Sequence, residues 1–356
     1  MKKYLKLFLL IAGTTVLIYA CSKKITQART SSKGDFFRVM FYNVENLFDT
    51  LDDPTKNDND FLPDGKKNWT DERLSHKLNQ LTKVIEHVGQ DRLPDLIGLC
   101  EVENQKVLTF LLQRTKLKEY DYFIIHFDSP DPRGIDVALL YRKSTFKPEK
   151  FNAYPVVLSS PNSERNTRDI LYTKGKLPSG EHLHVFVNHW SSRVGGEEGS
   201  EFKRITAAQN LRRVVDSLFL QAPRSHILIM GDFNDYPDNR SVRETLQANI
   251  DSAAERRPGQ LYNLMGWQMK EGAGTYNFRN QWGFLDHFIV SGSLLDGKDR
   301  TYTHFNQARA YREPFLLQKG KRKPETEKPF STYDGNKYQG GFSDHLPVIV
   351  DLYLKK

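Results

Sequence analysis

The chain has 356 residues, which is enough to bury a sizeable core, and its 38% hydrophobic and 12% aromatic residues indicate a globular body. A formal charge of +8 at pH 7 permits a polyanionic substrate but does not identify one. The two cysteines, Cys21 and Cys100, exclude a disulfide framework, and we expect no disulfide.

The first 21 residues have the layout of a signal peptide. Lys2, Lys3 and Lys6 precede an apolar run, residues 7–20, that is too short and wrongly flanked for a membrane span. This run ends in Leu-Ile-Tyr-Ala directly before Cys21, which resembles the lipobox of bacterial lipoproteins. The resemblance implies export, lipidation of Cys21 and a membrane anchor, whereas the alternative is an ordinary signal peptide with an incidental cysteine.

Residues 22–34 are polar and small, and we expect them to form a tether. Because no acidic residue occurs in Ser22-Lys23-Lys24, we expect an anchor that faces the periplasm rather than the cell exterior. Loss of the first segment with its three lysines lowers the formal charge from +8 to about +5. Residues 35–356 contain no long linker, so we expect one domain, acting as a monomer.

The rest of the chain alternates strand-like and helix-like patterns. Apolar runs predict strands at residues 37–42, 96–100, 136–141, 182–188, 226–230, 285–290 and 346–352. Apolar residues at helical spacing predict one helix from Leu74 to Val88, before Pro94, and a second from Ile205 to Leu218. Each helix leads into a strand that meets a carboxylate, Glu101 or Asp232. This repeat predicts an internally duplicated α/β architecture.

Polar residues stand at the ends of most predicted strands. They are Asn43 and Glu45, Glu101, Asn188 and His189, Asp232 and Asn234, Asp286, and Asp344 with His345. Because strand ends of one sheet lie side by side, we expect these groups to meet in one cleft. Buried carboxylates repel one another, and carboxylate and amide oxygens suit Mg²⁺, Mn²⁺ or Ca²⁺ rather than zinc. The sequence therefore predicts a divalent-cation site.

The segment Gly231-Asp232-Phe233-Asn234 carries a local prediction of its own. Alternation along a strand places Asp232 and Asn234 on one face and turns Phe233 toward the core. Gly231 is expected to let the backbone approach a ligand closely.

Six segments in chain order resemble successive motifs of the endonuclease/exonuclease/phosphatase superfamily: FYNVEN, LCEVEN, NHWSSR, GDFND, FLDHFIVS and GGFSDHLPV. The resemblance spans about residues 36–354. The superfamily includes deoxyribonucleases, repair exonucleases, bacterial sphingomyelinases and inositol polyphosphate 5-phosphatases. It implies an α/β fold, a four-layer sandwich in which helices flank two packed mixed β-sheets.

The resemblance also implies a metal site and a water-activating group. Glu101 would be the principal metal ligand, supported by Asn43 and Asp344, with Mg²⁺ or Mn²⁺ expected and Ca²⁺ as an alternative. Asp232 would orient and deprotonate the attacking water, and Asn234 would hold the phosphate.

Two histidines complete the implied site. His345 would bind the phosphoryl oxygen or act as a base, with Asp344 fixing its tautomer, and Asp286 would support a metal or a histidine. His189 would protonate the leaving oxygen. In having a histidine at this position, the chain resembles the deoxyribonuclease-like, sphingomyelinase-like and inositol-phosphatase members of the superfamily. Repair-type members usually have a tyrosine there.

These features predict a metal-dependent phosphodiesterase acting on nucleic acid. The alternatives are a sphingomyelinase-like or inositol-phosphatase-like phosphoesterase and, in another class, a non-catalytic binding lipoprotein of the same fold. A sphingomyelinase is expected to expose an apolar hairpin with aromatic tips, for which the sequence offers no obvious candidate.

Several further residues have open roles. We expect Asn188 to bind substrate, while Arg168 either clamps a phosphate or pairs with nearby acids. Arg133 begins a segment that is expected to face the cleft, and the role of Glu45 is open. Three aromatic residues are candidates either for base stacking or for packing: Trp190, Tyr276 and Trp282.

Overall fold

The computed structural model describes residues 35–90, 92–160, 163–269, 273–320 and 325–355, with the backbone alone described at 159, 160, 163 and 164. The predicted signal peptide, the predicted lipidation site Cys21 and the predicted tether lie outside these residues. Within the described ranges, no helix has the length and apolar character needed to cross a membrane. All elements below belong to one compact unit, Phe36–Lys356.

Four α-helices lie in the described chain: α1 (Asp71–Val88), α2 (Gln105–Gln113), α3 (Glu197–Gln221) and the single turn α4 (Gly266–Met269). Shorter helical turns occupy Asn59–Phe61, Lys116–Glu119, Ser241–Thr245, Gly292–Leu294 and Pro314–Leu316. Helix α1 begins after Thr70, whose side chain accepts a hydrogen bond from Arg73 N, and ends before Gly89. Both predicted helices are therefore confirmed, and α3 begins earlier than its apolar stripe.

Fourteen strands build the two large sheets. In chain order they are β1 (Phe36–Leu47), β2 (Leu96–Val102), β3 (Tyr122–His126), β4 (Asp136–Arg142), β5 (Lys147–Tyr154), β6 (Ile170–Lys176), β7 (His182–His189), β8 (Ile227–Asp232), β9 (Ala248–Asn249), β10 (Leu261–Asn263), β11 (Asp286–Ser291), β12 (Thr301–Tyr302), β13 (Arg309–Ala310) and β14 (Val348–Leu354). Four two-stranded ribbons supplement them: Val157–Ser160 with Ser163–Asn166, Tyr276–Phe278 with Gln281–Gly283, Leu317–Lys319 with Glu327–Pro329, and Tyr333–Asp334 with Lys337–Tyr338.

The two sheets share one topological plan. The first has the order β12-β14-β1-β2-β4-β3, with β13 also pairing with β14, and the second has the order β9-β10-β11-β8-β7-β6-β5. At the centre of each lies a parallel pair joined by a helix, β1 and β2 through α1, and β7 and β8 through α3. Antiparallel strands flank both pairs. The predicted duplication is thus present in the backbone.

Three apolar layers hold the sheets and helices together. The first joins α1 and α2 to the first sheet, the second lies between the two sheets, and the third joins the second sheet to α3. Alternation along β8 explains the arrangement, because Met230 faces the other sheet while Ile229 faces α3. A Cβ on Gly98 would lie 2.8 Å from Met230 Sδ, so this glycine permits the close approach of the sheets. The predicted four-layer sandwich is confirmed.

The last strand begins later than predicted. Leu346 and Pro347 precede β14 and are not part of it, since a proline has no N–H to donate to a neighbouring strand. His345 instead forms an isolated antiparallel bridge with Tyr276. The segment that carries Asp344 and His345 therefore lies at the edge of the sandwich where β1, β2, β7 and β8 end.

Candidate active site

Asp232 is the centre of the polar cluster at this edge. It ends β8, where its register partners are His189 on β7 and Asp286 on β11. Its Oδ2 accepts a hydrogen bond from Asn43 Nδ2 at 3.0 Å, and its Oδ1 accepts one from Asn234 N at 2.9 Å. Since Asn43 belongs to β1, this contact joins the strand ends of the two sheets.

Two histidines flank the Asp232 carboxylate. The Nε2 atoms of His189 and His345 each lie 3.8 Å from Asp232 Oδ2. His189 Nε2 is also 3.9 Å from Glu101 Oε1. The predicted convergence of strand ends thus brings together Glu101, His189, Asp232 and His345 in space.

Asp286 holds the ring of His345. The Nδ1–H of His345 donates to Asp286 Oδ2 at 2.7 Å, and Asp286 is fully buried. The expectation that Asp344 fixes this tautomer is wrong, because Asp286 makes the contact. Burial alone would lower the pKa of His345, but Asp286 and Asp232 raise it well above its ordinary value. This environment favours the protonated form of His345.

The environment of His189 favours the opposite form. Burial lowers the pKa of His189 well below its ordinary value, and the cations Arg168 and Arg133 lower it further. Its Nδ1 is buried and has no hydrogen-bond partner. This environment disfavours the imidazolium that the expected acid role of His189 needs, since a neutral imidazole is a far weaker proton donor.

Asp232 is poised between its two charge states. Burial raises the pKa of Asp232 to about 7, while His345 lowers it and Asp286 raises it. A general base is most effective when its pKa lies near the working pH. The environment of Asp232 therefore suits the predicted role of accepting a proton from water.

The backbone around the cluster is strained. Glu45, Asn46, Glu101 and Asn234 have φ angles of 51°, 50°, 61° and 52°, a left-handed conformation that few residues other than glycine adopt. The register of β1 against β2 shifts between Asn43 and Leu47, and that of β2 against β4 shifts between Cys100 and Val102. These irregularities direct the Glu101 side chain into the cleft, where its Oε2 accepts from Asn46 N at 2.9 Å.

The donors fit a hard divalent cation. Glu101 and Asp344 are half-buried carboxylates, and the amide oxygen of Asn43 accepts only the Glu45 N–H, at 3.0 Å. Burial raises the pKa of Asp344; His345 lowers it, whereas Glu101 and Asp232 raise it. Such mutual repulsion is what a cation relieves. The described residues also place ligand atoms of Asp232, Asp286 and His345 within 4.8 Å of one another, as they do those of Cys100, His189 and Asp232.

Two residues expected to bind substrate have structural contacts instead. Arg168 Nη1 pairs with Asp131 Oδ2 at 2.8 Å, while its Nε and Nη2 donate to the carbonyls of His189 and Trp190. Asn188 is fully buried, donates to Met230 O and accepts from Trp190 Nε1. The substrate-binding assignment is therefore wrong for Asn188, and Arg168 follows its alternative of pairing with an acid.

Arg133 is the accessible cation at the cleft. Its Nη2 donates to Asn46 Oδ1 at 2.9 Å, its side chain is exposed, and it is close enough to His189 to lower that residue's pKa. Asn234, the other expected phosphate ligand, is half-buried and donates one amide hydrogen to Trp190 O at 3.0 Å. Its second amide hydrogen remains a candidate phosphate donor.

The role of Gly231 differs from the expected one. A Cβ at this position would lie 2.5 Å from Asn188 O on the neighbouring strand. The glycine therefore permits β7 and β8 to approach each other, while the close approach of this backbone to a ligand stays a prediction.

An aromatic hairpin adjoins the site. The ring of Tyr276 packs 4.8 Å from that of His345, and Phe278, at the hairpin's tip, is 57% exposed. Arg279 and Asn280 form the turn with φ angles of 51° and 68°. This hairpin carries one exposed aromatic residue near its tip, but its turn is polar, so it matches the apolar, aromatic-tipped hairpin expected of a sphingomyelinase only in part.

The other two aromatic candidates pack against protein groups. Trp190 is only 2% exposed and packs against Phe233. The guanidinium of Arg312 lies 4.4 Å from the ring of Trp282.

Lys77 and Glu45 belong to the surroundings of the site, although only Glu45 was noticed in the sequence. Lys77 is fully buried on α1, and its Nζ donates to Thr332 Oγ1 and Phe342 O, both at 2.6 Å. Burial lowers the pKa of Lys77 to about 8 and raises that of Glu45 to about 7. The available signal was a lysine within the apolar stripe of a helix, three residues after Leu74.

Comparisons with known proteins agree with this geometry. A model described as "Endonuclease/Exonuclease/phosphatase family" matches residues 38–356. No curated protein matches the chain.

Solved structures provide similar folds. A Bacteroides thetaiotaomicron protein of that family aligns with a TM-score of 0.55 and 15% identity, over 91% of this chain and 99% of its own. A B. thetaiotaomicron mannosyl-6-phosphatase aligns with a TM-score of 0.53 and 16% identity, over 89% and 100% of the two chains. D. rerio TDP2 complexed with a single-strand DNA product aligns with a TM-score of 0.52 and 14% identity, over 89% and 99%. At these identities the likeness concerns the fold.

Proposed function

The chain belongs to the endonuclease/exonuclease/phosphatase family, whose members hydrolyse phosphoester bonds, and we propose that it is a metal-dependent phosphodiesterase that cleaves nucleic acid. The observation that carries this proposal is the buried carboxylate of Asp232, whose Oδ2 lies 3.8 Å from the Nε2 atoms of both His189 and His345. This arrangement supplies a base and an acid without a covalent nucleophile. The intact set of polar residues also favours an enzyme over a non-catalytic binding protein.

The reaction needs two proton transfers, one at the attacking water and one at the leaving oxygen. Asp232 takes a proton from water as the water oxygen bonds to phosphorus and the bond to the leaving oxygen breaks. His345, held by Asp286, donates its Nε2 proton to that leaving oxygen and is later reprotonated from solvent. His189, whose neutral form is favoured by burial, contacts a phosphoryl oxygen, with Arg133 and Asn234 binding the others.

A cation completes this chemistry. Mg²⁺ or Mn²⁺, held by Glu101, Asn43 and Asp344, would neutralise charge on the phosphate. The preference for these ions rests on the donor set, which consists of carboxylate and amide oxygens.

The choice of nucleic acid rests on charge. Arg133 stands exposed at the cleft, Arg279 forms the tip of the adjoining hairpin, and the predicted mature chain is basic overall. A repeated phosphodiester backbone offers anions to such cations beyond the one being cleaved. A second candidate, a sphingomyelinase-like activity, is favoured by exposed Phe278, since an aromatic tip also suits a membrane surface.

A substrate screen tests the proposal. The chain lacking residues 1–21 is assayed with Mg²⁺, Mn²⁺, Ca²⁺ or chelator against plasmid DNA, RNA, bis-(p-nitrophenyl) phosphate and sphingomyelin vesicles, with Glu101→Ala as control. We expect cation-dependent cleavage of DNA or RNA that the control lacks. Turnover of sphingomyelin alone would support the second candidate and contradict the first.

The assignment of the two histidines has its own test. A nucleic-acid alkoxide needs a proton to leave, whereas nitrophenolate does not, and such proton transfer contributes roughly 10²–10⁴-fold in rate. We therefore expect His345→Gln to reduce kcat/KM far more for DNA than for the nitrophenyl diester, and His189→Gln to reduce both alike. A selective loss on DNA in His189→Gln would reverse the assignment.

The cellular setting is part of the proposal. Lipidation at Cys21 would anchor a monomeric enzyme to the bacterial membrane on the periplasmic side, with residues 22–34 as the tether. The support is the lipobox-like segment and the absence of acidic residues immediately after Cys21.

A further inference from the structure

A buried lysine and a buried glutamate meet at one threonine beneath the cleft. Lys77 Nζ donates to Thr332 Oγ1 at 2.6 Å, while Glu45 Oε2 accepts from Thr332 N at 2.6 Å. Glu45 Oε1 also accepts from Tyr333 N at 3.2 Å. The side chain and the backbone of Thr332 are thus held from two different elements, α1 and β1.

The same lysine holds the chain on the other side of the hairpin Tyr333–Tyr338. Lys77 Nζ donates to Phe342 O at 2.6 Å, and Phe342 N in turn donates to Phe330 O at 2.6 Å. A Cβ on Gly341 would lie 2.1 Å from Phe330 O, so the two ends of this segment touch. We call residues 330–345 the Asp344 segment.

The Asp344 segment continues directly into the site. Ser343 Oγ donates to Asn43 O at 2.7 Å and accepts from His345 N at 3.1 Å. The chain between the Phe342 carbonyl held by Lys77 and the catalytic imidazole is therefore two residues long and hydrogen-bonded to β1. A displacement at Phe342 would be transmitted to Asp344 and His345.

Burial of the Lys77 ammonium group costs stability, so a role other than packing is needed to explain a lysine at this position. Neighbouring positions on the same face of α1 are Leu74, Leu78 and Leu81, all buried, so an apolar residue at 77 would extend the stripe. An ammonium group removed from water must instead be compensated by hydrogen bonds and opposite charge. Departures from local rules of this kind are typical of functional sites.

We propose that Lys77 and Glu45 are positioning residues that together fix the Asp344 segment and so place Asp344 and His345 for the reaction. The assignment of those two residues rests on the proposed function. Lys77 acts through the Thr332 hydroxyl and the Phe342 carbonyl, and Glu45 acts through the backbone amides of Thr332 and Tyr333.

Two substitutions that change the local charge in opposite directions test the proposal. Lys77→Met removes a positive charge beneath the cleft, and Glu45→Gln removes a negative one. Both disrupt the same segment. If positioning is the role, both weaken Mn²⁺ binding, measured by titration in the absence of substrate, by about tenfold or more, as is usual for residues that orient metal ligands. If the residues act only through their charge, Lys77→Met binds Mn²⁺ more tightly and Glu45→Gln more weakly, which would overturn the proposal.

Amide hydrogen exchange of the metal-free protein provides an independent measurement. We expect faster exchange at Thr332, Tyr333, Phe342 and Ser343 in both variants, with little change in β8. Lys77→Arg, which keeps the charge and donors, should recover part of the Mn²⁺ affinity. Unchanged exchange in the segment would contradict the proposal even if activity fell. These measurements need no substrate, so they remain decisive if the proposed phosphodiesterase activity is not found.

Arg38→Met is the matched control. Arg38 is also buried on β1, but it pairs with Asp351 at 2.8 Å near the opposite end of the strand. Its loss should lower the melting temperature without weakening Mn²⁺ binding or reducing kcat of the folded fraction. If Lys77→Met folds poorly, amide exchange in Glu45→Gln and in this control still decides the matter, since positioning predicts faster exchange in the Asp344 segment and a charge effect does not. An equal effect of all three on Mn²⁺ affinity would mean general destabilisation and would refute positioning.

Discussion

Asp232→Asn should change how the stability of the protein depends on pH. Burial raises the pKa of the Asp232 carboxyl from 3.8 to about 7, which means that the folded protein favours the protonated acid. Because the raised pKa belongs to the folded state, the folded protein gains stability from the proton at low pH. That contribution is lost as the pH rises from about 4 to about 7. Asparagine carries no charge at any of these pH values, so the variant does not lose this contribution to stability as the pH rises.

The magnitude follows from the shift. Each pKa unit corresponds to about 1.4 kcal/mol, so the full shift is worth roughly 4 kcal/mol, of which about 2–3 kcal/mol falls between pH 5 and pH 8. Asp232 is only 2% exposed, so solvent screening does not reduce this figure much. The substitution also has a cost that is independent of pH, because Asn43 and Asn234 both donate to the carboxylate and an amide has one oxygen. The pH-dependent part of the difference is therefore the quantity to measure.

Urea unfolding of both proteins at pH 5 and pH 8 with chelator present supplies this measurement. We expect the free energy of unfolding of the wild type, relative to Asp232→Asn, to fall by about 2 kcal/mol or more between the two pH values. Asp235→Asn is the control, since that buried carboxylate pairs with Arg204 at 2.7 Å and its loss should lower stability at both pH values. A wild-type stability that rises relative to Asp232→Asn over this range would refute the electrostatic account.

Three further predictions concern other parts of the molecule. Glu101→Ala should abolish cation-dependent turnover with little change in circular dichroism. Full activity of this variant in the presence of chelator would exclude Glu101 as a metal ligand. Phe278→Ala should raise KM for a single-stranded oligonucleotide, since stacking contributes about 1–3 kcal/mol per base, but not for a nitrophenyl diester; equal effects would exclude stacking. Mass spectrometry of the mature protein should find a lipid-modified terminus at Cys21, and an unmodified terminus or another start would exclude the anchor.

The sequence predicted the fold well where local pattern and tertiary environment agree. The apolar stripe of α1 and the short apolar runs of β2 and β8 are periodic, and their flanking carboxylates mark the strand ends. Neighbouring parallel strands end at one edge of a sheet, so the meeting of His189 and Asp232 followed from the order of elements. The approach of Glu101 from the other sheet depends on how the two sheets pack. These predictions needed no knowledge of side-chain direction.

Side-chain partners could not be predicted in the same way. Asp344 precedes His345 in the chain, but successive residues of an extended segment point in different directions, and Asp286 reaches the ring from another strand. Arg168 and Asn188 likewise lie close to the site in sequence, yet their polar groups satisfy carbonyls behind it. Charge states depend on burial and on distant neighbours, so the contrast between His189 and His345 has no sequence signal.

The strained backbone explains why the ends of β1 and β2 were the hardest part to anticipate. In a regular strand, the side chains of Asn43, Glu45 and Leu47 would all point to the same face. The left-handed conformations of residues 45 and 46 break this pattern. Such residues cost of order 1 kcal/mol or more each, and they persist only where surrounding contacts fix them. Here the fixing contacts are the Asn46 amide on Glu101 and the Thr332 and Tyr333 amides on Glu45. The strained residues 45 and 46 of β1 are therefore the ones that contact both the candidate metal ligand Glu101 and the Asp344 segment. Metal binding by Glu101 and positioning by Glu45 thus depend on the same strained end of β1.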